Sequence, residues 1–190
     1  MDKTLKSKRI RLEILSPLPE YAEQLAELVY RNREHLDMWR GDVLRFETTE
    51  LAFYKLLMDN YYYERKEGYF YHIFKGKKMI GHISLLSSGK FWEASYWLDK
   101  DYTGCGYMQE ALKTLEDNWF QKSTAPITVL VNAENTSSLN VIRKMGYVPF
   151  GQNRYLKNFA MFMRQQNTHQ PSFILSSNQY IVSKKQHEKD

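Results

Sequence analysis

Apolar and polar residues alternate over residues 9–15, the period of a strand with one buried face. Pro17 and Pro19 end that run. Pro19 and Glu20 open a helix, because a first turn tolerates a missing N–H and favours acids. Ala22, Leu25, Ala26, Val29 and Leu36 mark its apolar face, which ends in the stretch NREHLDMW, residues 32–39. Within that stretch His35 and Trp39 read as core or loop contacts. Residues 46–50 are a break, with Thr48 or Thr49 as helix cap. Leu51, Tyr54, Met58 and Tyr62 then stripe a second helix over residues 51–63, ended by Gly68. Residues 69–74 and 79–86 read as strands joined by KGKK with Gly76 in the turn, and residues 91–98 follow the Ser88-Gly89 turn. The three predict an antiparallel meander.

Trp97 and Leu98 end that third strand, and residues 99–106 form a loop rich in turn formers. Met108, Ala111, Leu112, Leu115 and Trp119 then fall on one helix face. Gly104 and Gly106 stand directly before this helix. Lacking a Cβ, they let the backbone aim several N–H groups at one point. The first N–H groups of the helix have no intrahelical partner and point the same way, at the positive end of the dipole. Strand, glycine loop and helix N-terminus together predict a pyrophosphate site. It is neither a Walker loop, since no Gly-Lys-Ser/Thr follows, nor the dinucleotide fingerprint, since the third glycine is missing.

Residues 127–131, ITVLV, are continuously apolar, as in a strand buried on both faces. NAENTSS, residues 132–138, is a polar loop, and a helix follows over residues 137–144 with Gly146 as its stop. Residues 147–150 and 158–163 read as a last antiparallel pair. The order is β-α-α-β-β-β-α-β-α-β-β. Its central β-α-β requires two parallel strands with the loop-borne helix crossing between them. The expected fold is mixed α/β (α+β): a mostly antiparallel sheet of six or seven strands, a central parallel β-α-β unit and helices on both faces. One domain is expected over residues 1–165. An extension over 166–190 follows, with one candidate strand at 172–182 and a mobile tail from 184.

Composition narrows the function classes. The 190 residues include 14 Tyr, 10 Phe and 4 Trp, which argues against disorder. No apolar run reaches the roughly 20 residues needed to span a membrane. The basic N-terminus lacks the apolar segment of a secretory signal. A single cysteine, Cys105, excludes an intramolecular disulfide and fits a cytoplasmic protein. Of the net charge of +5, the first 11 residues carry +4. A basic arm is therefore allowed, but the body has no basic face for nucleic acid. No metal-ligand spacing is present. A homodimer is left open.

Taken together, four features resemble the GNAT superfamily of acetyl-CoA-dependent N-acetyltransferases: NREHLDMW; IGHISL followed by EASYWLDKDYTGCGYMQEAL; VNAENTSSLNVIRKMGY; and the spacing between them. The chain most resembles the RimJ/RimL-type branch of ribosomal-protein N-terminal acetyltransferases, over about residues 9–152. The family loop runs Gln/Arg-x-x-Gly-x-Gly/Ala. The matching positions here are Thr103, Gly104, Cys105, Gly106, Tyr107 and Met108. Gly106 is kept, Met108 replaces the last small residue, and Thr103 replaces the usual Gln or Arg. The resemblance implies acetyl-CoA held by this loop and by backbone groups of Trp97, Leu98 and Asp99, pairing with the pantetheine arm like an added strand. It implies the Leu98 N–H as donor to the thioester oxygen and Asn135 as a further cofactor ligand. Where many members carry a catalytic Tyr, this chain has Ile142. The branch uses a serine one turn earlier, which is Ser138, as general acid for the leaving thiolate. A helix-start contact is the alternative role for Ser138.

The resemblance implies direct attack of an amine on the thioester. The amine must first lose a proton. An α-amine titrates at about 7.7–8.0 and a lysine at about 10.4, a difference of about 3.5 kcal/mol. A protein α-amine therefore needs only a modest base. Glu93 is the first candidate, unless strand alternation turns it away; Glu134 and His82 are weaker ones. Cys105 lies in the phosphate loop and is not expected to carry acetyl. The expected acceptor is a protein N-terminus. A small amine such as an antibiotic or polyamine, or a non-catalytic CoA-binding module, are the alternatives.

Overall fold

The computed structural model describes residues 1–152 and 158–166. In chain order it holds β1 (Thr4–Lys6), β2 (Arg11–Glu13), α1 (Pro19–Arg31), α2 (Arg33–Arg40), a short 3-10 turn (Gly41–Phe46) and α3 (Thr49–Glu64). The meander follows as β3 (Gly68–Lys75), β4 (Lys78–Ser88) and β5 (Phe91–Leu98). Then come α4 (Tyr107–Phe120), β6 (Ile127–Asn132), α5 (Thr136–Lys144), β7 (Val148–Gln152) and β8 (Phe159–Arg164). One eight-stranded sheet runs β1-β2-β3-β4-β5-β6-β8-β7. Among the described strands only β5 and β6 are parallel; every other pair is antiparallel.

Strand alternation divides the core between two faces of this sheet. Ile73, Ile83, Ala94 and Leu98 pack with Ala111, Leu112 and Leu115 of α4 and Ile142 of α5. Phe74, Met79 and Trp97 pack on the other face, with Leu25 and Val29 of α1 and Leu56 of α3. The neighbours Ile73 and Phe74, or Trp97 and Leu98, thus serve different layers.

Three expectations change. Among the described residues the sheet has eight strands where six or seven were expected. The N-terminal strand is a hairpin, closed by the Ser7 N–H donating to the Ile10 carbonyl at 3.0 Å, and β1 is too short to show a period. The basic arm that the charge distribution allowed folds into this hairpin: Arg11 pairs with Glu13, Lys3 with Glu64, and Arg9 with Glu110. Finally, the first helix is two. At Asn32 the helix breaks, and that buried side chain donates to the Leu28 carbonyl at 2.9 Å and accepts from the Lys100 N–H at 2.9 Å. It thereby fastens the α1–α2 joint to the loop after β5. The expected strand at 172–182, the tail and the 166–190 extension lie outside the described residues apart from Gln166.

Candidate active site

The parallel pair β5–β6 is short. Trp92 faces Ile127, Glu93 faces Thr128 and Ala94 faces Val129; no further pairing follows although both strands continue. The strands part there, and a cavity of about 620 Å³ opens between Tyr96 and Leu98 on one side and Leu130 and Asn132 on the other. The backbone at its edge follows from alternation. The Trp92 N–H donates to Pro126, on the β6 side, and the Asp99 N–H donates to Ile80, on the β4 side. Even-numbered residues of β5 therefore turn their N–H groups toward β6. For Tyr96 and Leu98 that means the open gap.

This corrects the expected set of backbone ligands. Trp97 and Asp99 turn toward β4, so their N–H groups do not face the gap. The Asp99 carbonyl accepts from the Tyr102 N–H, and its carboxylate is buried against Arg31 Nη2 at 2.6 Å. Tyr96, which the sequence did not single out, turns its N–H toward the gap as Leu98 does. Trp97 still lines the cavity with its other atoms.

Past β5 the chain enters the glycine loop. Gly104 and Gly106 both have positive φ, 74° and 80°. Gly106 is the cap residue of α4 and has no side chain to give it, so the first N–H groups of the helix stay open. Nothing lies within 4 Å of where a Cβ on Gly104 would stand. Cations gather behind the loop. Arg9 Nη1 donates to the Cys105 carbonyl at 3.0 Å, and its guanidinium lies 4.5 Å from the centre of the Tyr107 ring. Lys75 Nζ lies 5.1 Å from the same ring centre. Tyr107 and Met108 are buried and anchor the helix start; Cys105 is exposed; Thr103 spends its hydroxyl on the Lys100 carbonyl at 2.8 Å. An open helix N-terminus with basic side chains behind it is an anion cradle.

The opposite wall comes from α5. Asn135 caps this helix, its Oδ1 accepting from the Ser138 N–H at 3.0 Å. The helix-start role considered for Ser138 therefore belongs to Asn135. The Ser138 hydroxyl is left to meet Tyr96 Oη at 2.8 Å. Burial pushes the Tyr96 phenol up to about 12, with the Ser138 hydrogen bond opposing. Both residues line the cavity, as does Asn135, whose amide N–H groups remain for a ligand.

Odd-numbered residues of β5 face the other layer. There Ser95 accepts a hydrogen bond from Arg40 Nη1 at the end of α2. Arg40, Trp39 and His35 line this end of the cavity. The cavity thus passes through the sheet: Ser138 and Asn135 stand on the α4–α5 side, and Arg40 and Trp39 on the α2 side. By sequence His35 and Trp39 read as core or loop contacts, and only their presence in NREHLDMW marks them.

Residues 11–148 match the family model described as Acetyltransferase (GNAT) domain. The chain belongs to the GNAT acetyltransferase family. No curated protein matches it. Among solved structures, the ribosomal-protein-S5-alanine acetyltransferase from Vibrio fischeri is similar at 21% identity and a TM-score of 0.77, covering 90% of this chain and 100% of that one. RimL, a ribosomal L7/L12 alpha-N-protein acetyltransferase in complex with coenzyme A, is similar at 19% identity and a TM-score of 0.75, covering 87% and 99%. The microcin C7 self-immunity acetyltransferase MccE, in complex with acetyl-CoA and AMP, follows at 16% identity and 0.74, covering 84% and 94%.

GNAT acetyltransferases use acetyl-CoA, and this GNAT chain fits it in three places. The open N-terminus of α4 suits the pyrophosphate. The unpaired edge at Tyr96 and Leu98 suits an arm that adds like a strand. The gap leads to Ser138. The proposed bases sit elsewhere. Glu93 lies where β5 and β6 are still paired, on the same strand face as Ser95 and Trp97, and is not in the cavity wall. Glu134 is exposed and also outside it.

His82 is buried in a second polar cluster with His72 and Asp59, their donor atoms within 4.8 Å of one another. Sequence spacing could not show this trio, which comes from β3, β4 and α3. Lys55 Nζ already sits on both Asp59 oxygens, at 2.5 and 2.6 Å, so the carboxylate has its cation. Burial holds both imidazoles below the ordinary histidine range.

Proposed function

We propose that this GNAT acetyltransferase transfers acetyl to the α-amine of a protein N-terminus. The observation that carries the reading is the chemistry of the cavity wall: among the described residues it contains no Asp or Glu. A wall with no carboxylate base, and with His35 as its one imidazole among the described residues, suits an amine that is already partly neutral near pH 7, as an α-amine is and a lysine is not. The fold shared with structures of ribosomal-protein acetyltransferases, at TM-scores of 0.77 and 0.75, supports the same reading.

Acetyl-CoA supplies an activated acetyl thioester. The chain's own groups do the rest. The N–H groups of Tyr96 and Leu98 would hold the acetyl-bearing end of the arm and would stabilise negative charge developing on the thioester oxygen. Ser138 Oγ holds the proton needed by the departing sulfur, with Tyr96 Oη hydrogen-bonded behind it. The amine enters from the α2 side, opposite Ser138, so the incoming and leaving groups stay apart. Incubating the protein with acetyl-CoA and two peptides tests this, one with a free N-terminus and no lysine, the other N-blocked with one lysine. Mass spectrometry is expected to find acetyl on the first at pH 7. Acetyl only on the second contradicts the reading.

A further inference from the structure

The charges of the cavity say more than that a carboxylate is missing. Its wall carries two full cations among the described residues, Arg40 and Lys144. Lys144 belongs to α5. Arg40 alone stands at the α2 end, where the acceptor enters.

Arg40 is built into place. Its Nε and Nη2 each donate to one oxygen of Asp42 at 2.9 Å, and Nη1 donates to Ser95 Oγ. A guanidinium has five N–H groups. Three are engaged, and the two left over both sit on the terminal nitrogens. Asp42 is exposed, so solvent weakens its compensation of the Arg40 charge. The guanidinium is therefore fixed, partly uncompensated and short of acceptors. Such a fork binds a carboxylate with two directed bonds. Ser95 precedes Tyr96 by one residue and Leu98 by three, so Arg40 stands within about 10 Å of the N–H pair along the strand. An extended acceptor covers that distance in about three residues.

Resting on the N-terminal reading above, we propose that Arg40 binds an acidic side chain two or three residues into the acceptor, making the preferred substrates acidic protein N-termini. Basic N-termini and polyamines bring extra cations into a wall that offers them no carboxylate.

The test uses three peptides with free N-termini, identical except for residues two and three: Glu-Glu, Gln-Gln or Lys-Lys. Expected kcat/KM falls in that order, with Glu-Glu at least tenfold above Lys-Lys, mostly through KM, and with the gap shrinking as salt rises. Arg40→Gln should bring the three within about twofold while CoA affinity by calorimetry stays unchanged. Arg40→Glu should favour Lys-Lys. If Arg40→Gln does not fold, the salt dependence of the parent decides: a Glu-Glu preference that ignores salt overturns the proposal. Equal turnover of all three by the parent, or a preference kept in Arg40→Gln, overturns it and leaves the N-terminal reading standing. No turnover of any free N-terminus defeats both.

Discussion

The Tyr96 hydroxyl lies 2.8 Å from Ser138 Oγ, joining β5 to α5 across the mouth of the gap where the parallel strands part. A phenol pushed up to about 12 by burial keeps its proton at working pH. The pair can therefore hold two hydroxyl protons next to each other, with Ser138 presented outward. Ser138→Ala is predicted to lower kcat by roughly 10- to 10⁴-fold with little change in CoA affinity. Tyr96→Phe should cost less, since Ser138 keeps its own proton and loses only its orientation. Steady-state kinetics with CoA titrations separates the two effects; a kcat within about twofold of the parent for Ser138→Ala removes it from the chemistry.

Gly106 holds φ at 80°, a region that a β-branched residue strongly resists, while a Cβ there would meet nothing closer than Arg9 Nη2 at 3.5 Å. The cost of Gly106→Val is thus backbone strain rather than collision. The loop is expected to relax and turn its N–H groups away, raising the Kd for CoA at least tenfold, or about 1.4 kcal/mol. Calorimetry on the folded variant checks it, and an unchanged Kd contradicts the assignment of the loop.

Glu116 of α4 is buried with Tyr147 beside it, and burial pushes its carboxyl up from 4.5 to about 7. Arg164 at 3.6 Å opposes this only in part. The folded state then binds the proton more tightly than the unfolded state between those values. Stability from this group is present below pH 4.5 and is lost as pH rises through 7. The full span is about 3 kcal/mol. Glu116→Gln should match the parent near pH 4.5 and exceed it in Tm at pH 8, by about 6–12 °C. Parallel melting curves across pH 5 to 8 reveal it; equal slopes for the two proteins contradict it.

Much of this was legible in the sequence because local chemistry decided it. ITVLV read as a doubly buried strand and became β6, and Gly104-Cys105-Gly106 before an amphipathic helix became the loop that opens α4. What stayed hidden depends on partners far along the chain. The helix break at Asn32 follows from its bond to Lys100, 68 residues away, so periodicity alone carried the helix through it. The choice of Tyr96 over Trp97 and Asp99 depends on which neighbour β5 pairs with, and a strand read alone shows its alternation but not its phase toward β6. The Arg40–Ser95 contact joins residues 55 apart, and neither residue type is unusual where it stands. Glu93 was the reasonable base on its strand. Pairing of its neighbours across to β6 keeps it below the level where the gap begins.

Acetyl transfer to an N-terminal α-amine, by a site with no carboxylate base in its described wall, depends on an acceptor already partly neutral at pH 7. One measurement reaches it directly: kcat/KM, with acetyl-CoA, for a free-N-terminus peptide and for the same peptide N-blocked and carrying one lysine, from pH 7 to 10. A strong preference for the free N-terminus is expected at pH 7, narrowing as pH rises and the lysine gains its neutral form while the α-amine is already deprotonated. A ratio constant across that range, or a lysine preference at pH 7, would contradict it.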